Sequence, residues 1–320
     1  MKSRLALDLG LVPFGKLFFL QQSTKYHEAF MPRFSTFSIV ACDLKTKTWG
    51  IAVASKFPAV GAAVPWVQAE VGAVATQSYV NTSYGPNGLE MMAEGVSAEE
   101  TLEKLLANDE QREIRQVGLV DAQGHAVTFT GKKCHDWAGG VTGPGYAIQG
   151  NILTGANVIQ DMETTFLDTE GDLPARLYAA LYAGDRSGGD KRGRQAAAIY
   201  VAKPKGGYGG FLDRWIDYRV DNALDPVPEL GELLELHELY MGTSPESERV
   251  KLEGVVLRNL QKIMVKLGYY QPKIDGIYTE TVKEALNSFL GNENFENRFH
   301  PEEGYLDQPV VNYLIKKFKK

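Results

Sequence analysis

Cysteine is scarce in this chain: Cys42 and Cys134 stand alone among 320 residues. Two thiols cannot make a disulfide framework, and no CxxC spacing is present, so structural zinc held by thiolates is not expected. One bridge between the two stays open, although a reducing compartment is the simpler reading. Histidine is scarce too, at five residues. His27, His125 and His300 lack metal-ligand spacing, and neither a metal nor a cofactor is expected. No run of eighteen apolar residues occurs, so no membrane-spanning helix is expected. Basic residues are not in excess. A net charge of −6 and a pI near 5.5 argue against a nucleic-acid binder that works through a broad basic face. The run Gly206-Gly207-Tyr208-Gly209-Gly210 lacks the Lys-Ser/Thr ending of a phosphate loop and reads as a mobile loop near a site.

What is present is ordinary for a soluble globular protein: 44% hydrophobic and 23% charged residues, in a length that suits two domains. The start is atypical. Lys2 and Arg4 precede Leu5-Ala6-Leu7 in the manner of a signal peptide, but Asp8 and Lys16 interrupt the apolar stretch and no A-x-A site follows. Met31 offers an alternative start. Residues 1–33 are read as a leader or an over-extended start. The expected location is the cytoplasm, with export to the cell envelope as the alternative.

Strands are expected at 36–42 and 49–55 around a hairpin turn, then at 71–78, 116–121, 125–130, 146–149, 196–202 and 215–220. Helices are expected at 89–94, at 98–107 behind a Ser97/Glu100 capping box, at 157–167, on the face Leu173, Leu177 and Leu181 with Gly184 as C-cap, and at 228–241. Asn81–Gly88 reads as a loop by composition. Hairpins and helices come in blocks, which argues for α+β layers with mainly antiparallel sheets. After a linker at 243–251, residues 252–320 read as three short helices around one small core, one of them carrying the stripe Leu252, Val256, Leu260, Ile263 and Leu267.

Thr36 opens the first strand, and the second ends in Ser55-Lys56. If the chain is cut before Thr36, one residue carries both nucleophile and base: the hydroxyl attacks and the free α-amine takes its proton. An α-amine titrates near ~8, and a nearby lysine favours its unprotonated form. Thr at a strand start is equally an ordinary β-former.

Thr36–Gly61, together with Gly85-Pro86-Asn87-Gly88, Tyr146–Asn151 and Gly188–Gln195, resembles the family called domain of unknown function 1028, over about residues 34–240. That resemblance implies the N-terminal nucleophile hydrolase superfamily. The implied fold is a four-layer αββα sandwich over residues 34–242, with the active site at the start of the first strand. It makes Thr36 the nucleophile. Phe34 and Ser35 precede it, so removal of an initiator methionine does not free its amine: either Ser35–Thr36 is cleaved, for instance by attack of Thr36 on its own preceding peptide, or the domain is inactive as such. Leu260-Gln261, Leu267–Tyr270, Asp275-Gly276, Thr281, Ala285 and Phe289 resemble the peptidoglycan-binding domain found as a C-terminal partner of that family.

Each site candidate has a structural alternative. Lys56 is a cation beside Thr36 or a surface lysine at a strand end. Asn151 is an oxyanion donor or a helix-capping turn residue. Ser78 is a weaker candidate for a similar part. Asp190, Arg192 and Arg194 grip a substrate carboxylate or form a solvated charged loop. Cys134-His135-Asp136 looks catalytic, but strand neighbours point to opposite faces, so the thiol and imidazole should not pair. His237 falls on an apolar stripe and reads as a packed histidine. The leading expectation is an amide hydrolase with Thr36, Lys56 and Asn151 as its machinery, acting on a small-molecule or peptide amide that is linked to peptidoglycan. The alternative is a non-catalytic binding protein on a hydrolase-like scaffold. Two-layer sheet domains of this kind often associate, so a homodimer is carried as an expectation with no residue assigned to it.

Overall fold

The computed structural model describes residues 36–271 and 273–319. The leader reading of residues 1–33 lies outside them, as do Phe34 and Ser35. The elements run β1 (Thr36–Asp43), β2 (Thr48–Ser55), β3 (Pro65–Gln68), β4 (Gly72–Ser78), α1 (Tyr84–Ala93), α2 (Ala98–Ala107), β5 (Arg115–Asp121), β6 (Ala126–Thr130), β7 (Gly139–Gly143) and β8 (Tyr146–Asn151). They continue with α3 (Asn157–Asp168), α4 (Leu173–Arg186), β9 (Ala196–Ala202), β10 (Arg214–Val220) and α5 (Pro226–Met241). The C-terminal part holds β11 (Arg249–Lys251), α6 (Gly254–Leu267), α7 (Glu280–Asn292), β12 (Phe299–His300), β13 (Tyr305–Asp307) and α8 (Gln308–Phe318).

Two antiparallel sheets lie face to face. One has six strands in the order β10-β9-β2-β1-β8-β7, the other four in the order β3-β4-β5-β6. Strand alternation sorts the side chains between layers. On β1, Phe37, Ile39 and Ala41 face α3 and α4, while Val40 and Cys42 face the other sheet. On β4 and β5, Val74, Val117 and Leu119 pack against α1 and α2, while Ala73, Ala75 and Val120 face inward. Helices therefore cover both outer faces, and the fold is the αββα sandwich of the α+β class.

Helix limits differ from the pattern where packing overrides composition. α1 begins at Tyr84, inside the stretch read as a loop. Pro86 lies in its first turn, where the missing N–H is not needed. α4 runs on past Gly184 to Arg186, so Gly184 is not a C-cap. A Cβ there would lie 2.6 Å from Met162 Cγ, so the glycine lets α3 and α4 approach. The capping box at α2 is half made: Ser97 Oγ accepts from Glu100 N, while the Glu100 carboxylate pairs with Lys104.

The C-terminal part holds the three expected helices and, in addition, a small sheet in the order β11-β13-β12. Arg249–Lys251, read as the end of a linker, is its first strand. The buried stripe of α6 is Leu257, Leu260, Ile263 and Met264, and Leu267 is 40% exposed. That stripe follows the i, i+3, i+6, i+7 spacing of one helix face. No helix among the described residues is long and apolar enough to cross a membrane.

Candidate active site

Thr36 is the first residue of β1, hydrogen-bonded into the sheet between Ser55 of β2 and Asn151 of β8. Its side chain is buried. Thr36 Oγ1 donates to Ser55 Oγ at 3.3 Å. Its carbonyl accepts from Gln77 Nε2 at 3.3 Å and from Asn151 Nδ2 at 3.5 Å.

These contacts belong to a polar cluster in the otherwise apolar layer between the sheets. Gln77 Nε2 donates to Gln116 Oε1 at 2.8 Å, and Asn151 Nδ2 donates to the same oxygen at 2.9 Å. Gln116 Nε2 donates to Gly150 O at 2.7 Å and Thr130 Oγ1 at 2.9 Å. Ser38 Oγ donates to Gln77 Oε1 at 2.6 Å and accepts from Gln149 Nε2 at 2.7 Å. A buried amide left without partners costs about 1–3 kcal/mol, so mutual satisfaction is what makes this layer stable. Gly118 provides the room, since a Cβ there would lie 2.1 Å from Gln149 Oε1.

Two strained residues flank the cluster. Ser78, the last residue of β4, has φ 67°, and Ile152, directly after Asn151, has φ 53°. A left-handed backbone is unfavourable for serine and more so for a β-branched residue, and such strain gathers at functional sites. Ser78 lies beside the Cys134 thiol. Burial pushes the Cys134 pKa up, and the Ser78 side chain opposes the shift.

The loop before β9 closes one side. Asp190 is buried and accepts from Lys56 N at 2.7 Å and Arg192 N at 2.9 Å. The Arg192 guanidinium grips the same carboxylate, with Nη2 3.1 Å from Oδ2. Arg194 Nε donates to Asp185 Oδ1 at 2.7 Å. Lys56 Nζ donates to Arg194 O at 3.1 Å, so its amine is turned to this loop. Both guanidinium groups expected to receive a substrate carboxylate are thus engaged with internal ones. A cavity of about 200 Å³ lies here, walled by Phe37, Ala54, Ser55, Asp185, Asp190 and Arg194. Ser55 links it to Thr36, because Ser55 lines the cavity and its side chain meets the Thr36 hydroxyl.

Other expectations move. Cys134-His135-Asp136 lies on a turn-rich loop and not on a strand. The separation of thiol and imidazole comes from partners: Cys134 Sγ donates to Arg115 O at 3.2 Å, and the His135 ring lies 6.2 Å from that of Tyr79. Both cysteines are free. Cys42 lies at the far end of β1, about 20 Å along the strand from Thr36 at the usual rise per residue. Burial, then Asp121 and Asp43, push its pKa up to about 12, so it is inert as a nucleophile. The glycine run at 206–210 follows Ala202, which pairs with Trp49, whereas the Thr36 end of the sheet holds Ser55 and Ala196. That loop is therefore at the opposite end from Thr36. His237 is packed as expected, with Nδ1 3.2 Å from the Tyr218 hydroxyl and a pKa lowered by burial. Gln77 and Gln116 escaped notice in the sequence because polar residues in strands are common, and Ser55 reads there only as the hydroxyl that ends its strand. The one available signal was glutamine at three inward-facing strand positions.

A four-layer sandwich with a buried threonine at the head of an interior strand defines the class of architecture. The particular family follows from comparison: residues 36–230 match a family of unknown function, DUF1028, and the chain belongs to it. Residues 241–314 match a putative peptidoglycan binding domain. A crystal structure of a DUF1028 protein from Silicibacter pomeroyi is similar, with a TM-score of 0.58 and 28% identity, covering 64% of this chain and 89% of that one. No curated protein matches the chain significantly.

Proposed function

We propose that the protein is an amide hydrolase of the N-terminal nucleophile kind that acts on peptidoglycan or its fragments. The supporting observation is the place of Thr36: first in an interior strand, its hydroxyl facing Ser55 inside the polar cluster. Cleavage of the Ser35–Thr36 bond supplies the α-amine. Thr36 Oγ1 then attacks the substrate carbonyl while that amine takes its proton. The oxyanion is held by neighbouring backbone N–H groups and by Asn151 Nδ2, which gives up its long 3.5 Å bond to Thr36 O to do so. The amine returns the proton to the leaving nitrogen, and water, deprotonated by the same amine, releases the acyl group. Lys56 adds positive charge on the Ser55 side, which favours the unprotonated amine. Asp190 and Arg194 wall the cavity that receives the substrate, and Arg192 holds Asp190 in place. The C-terminal domain brings the enzyme to the wall polymer.

The burial of Thr36 favours a second reading, in which the scaffold binds and does not react. Intact mass and N-terminal sequencing of the purified protein separate the two. A chain beginning at Thr36, labelled by a hydroxyl-directed acylating probe and unlabelled as Thr36→Ala, is the expected result. A chain that retains Ser35 and labels equally in both forms supports the binding protein and removes the hydrolase.

A further inference from the structure

The loop joining β9 to β10 exposes three large apolar side chains: Tyr208 at 85%, Phe211 at 88% and Leu212 at 69%. Single exposed apolar residues are normal, but a cluster beside a concavity marks an interaction site. Under this loop lies a cavity of about 660 Å³, whose walls include Arg214 and Trp215 of β10, His237 and Met241 of α5, and Thr243 and Asn297 of the C-terminal part. A second cavity of about 650 Å³, between α4 and α5, shares Trp215 and His237 with the first. The two cavities adjoin at these residues, and a ligand spanning both as one trough is an extended chain rather than a compact small molecule. Its far end carries the carboxyl groups of Asp172, Glu232 and Glu235.

We propose that this trough binds a glycan strand of peptidoglycan, with sugar rings lying on Tyr208 and Phe211 and amine-bearing peptide branches directed to the acidic end. The proposal rests on the peptidoglycan part of the reading above and is independent of the chemistry at Thr36. The apolar face of a pyranose ring covers an aromatic ring, while its hydroxyl and acetamido groups need donors and acceptors at the rim. The rim provides them: Arg214 and Asp217, paired at 3.1 Å, with Thr243 and Asn297. Trp215 does not provide the stacking face, because Lys203 Nζ lies 3.4 Å from its ring centre. The occupant is a wall glycan because Met241, Thr243 and Asn297 fall inside the segment that matches the putative peptidoglycan binding domain. The trough is thus continuous with that domain, and its other wall comes from the sandwich.

The test uses the full chain, with purified insoluble peptidoglycan in a co-sedimentation assay and a soluble N-acetylglucosamine hexamer in titration calorimetry. Wild type is expected to bind both. Tyr208→Ala with Phe211→Ala is expected to weaken both by about tenfold or more at an unchanged melting temperature, since exposed aromatic anchors act in binding and not in folding. Tyr208→Trp with Phe211→Trp should retain binding. A double alanine variant that binds like wild type overturns the trough and leaves the peptidoglycan reading standing. A wild type that binds neither probe overturns that reading and the trough with it. A variant that loses only self-association, with sugar binding intact, shows that the loop meets a second copy of the chain and overturns the glycan assignment.

Discussion

Asp109 shows how single side chains hold the ends of the sheets. It is buried just after α2, where Arg115 Nε at the start of β5 donates to it at 2.8 Å and Tyr84 Oη at the start of α1 at 3.0 Å. Burial alone would raise its pKa. The hydrogen bonds from Arg115, Gln111 N, Asn81 and Tyr84 outweigh that and hold it at about 2. An unfolded aspartate titrates near ~4, so the stabilisation is complete above that pH and is lost as pH falls towards about 2. It amounts to about 2 kcal/mol. Unfolding midpoints measured in urea through this acid range should fall in wild type, and the Asp109→Asn variant should lack that part of the fall. An identical acid limb in both would show that Asp109 carries no such linkage. Thr36 belongs to the same scale. Its position at a strand start was legible from the run of β-branched and small residues that follows, but its contact with Gln77 was not, because that residue comes from the other sheet.

At the scale of elements, periodicity located most strands and helices, and packing decided their limits. Gly184 is the clearest case. Glycine near the end of an apolar helical pattern reads as a stop, yet α4 continues because the contact with Met162 and Phe37 needs the space. Gly184→Ala should destabilise the sandwich by about 1–3 kcal/mol, as overpacking does. Denaturant unfolding checks this, and a neutral or stabilising result would mean that α3 shifts freely. The short strands β3 and β7 escaped the sequence reading. Pro65–Gln68 has four residues at the edge of its sheet, and Gly139–Gly143 is glycine-rich, so neither carries an alternating apolar signal.

At the scale of the whole molecule, the sandwich and the C-terminal part are fastened through α5 and the segment after it. Arg298 is buried and pairs with Asp307 at 2.6 Å. It also donates to Glu238 O and Ser244 Oγ, both at 2.9 Å. Tyr240 of α5 stacks on Phe295 with ring centres 4.7 Å apart. A stretch rich in Gly, Ser, Pro and Glu reads as a free linker, but here a buried cation ties it down. Arg298→Met leaves Asp307 buried without its main partner and should cost about 3–5 kcal/mol. Calorimetry should then show the C-terminal part melting ahead of the sandwich, with faster proteolysis at 242–248. A single unchanged transition would show that the clamp is dispensable.

The sequence by itself determined the layered α+β class, the helical character of the C-terminal part and the place of Thr36 at a strand start. These depend on local periodicity and on motifs read in order along the chain. Tertiary structure alone decided what surrounds Thr36, where Lys56 and Arg194 turn, and that the glycine-rich loop lies at the other end of the sheet. Those outcomes depend on which strands become neighbours and in what register. That is set by burying two sheet faces together with the inward amides of Gln77, Gln116 and Gln149 hydrogen-bonded across strands, a condition that no local segment carries.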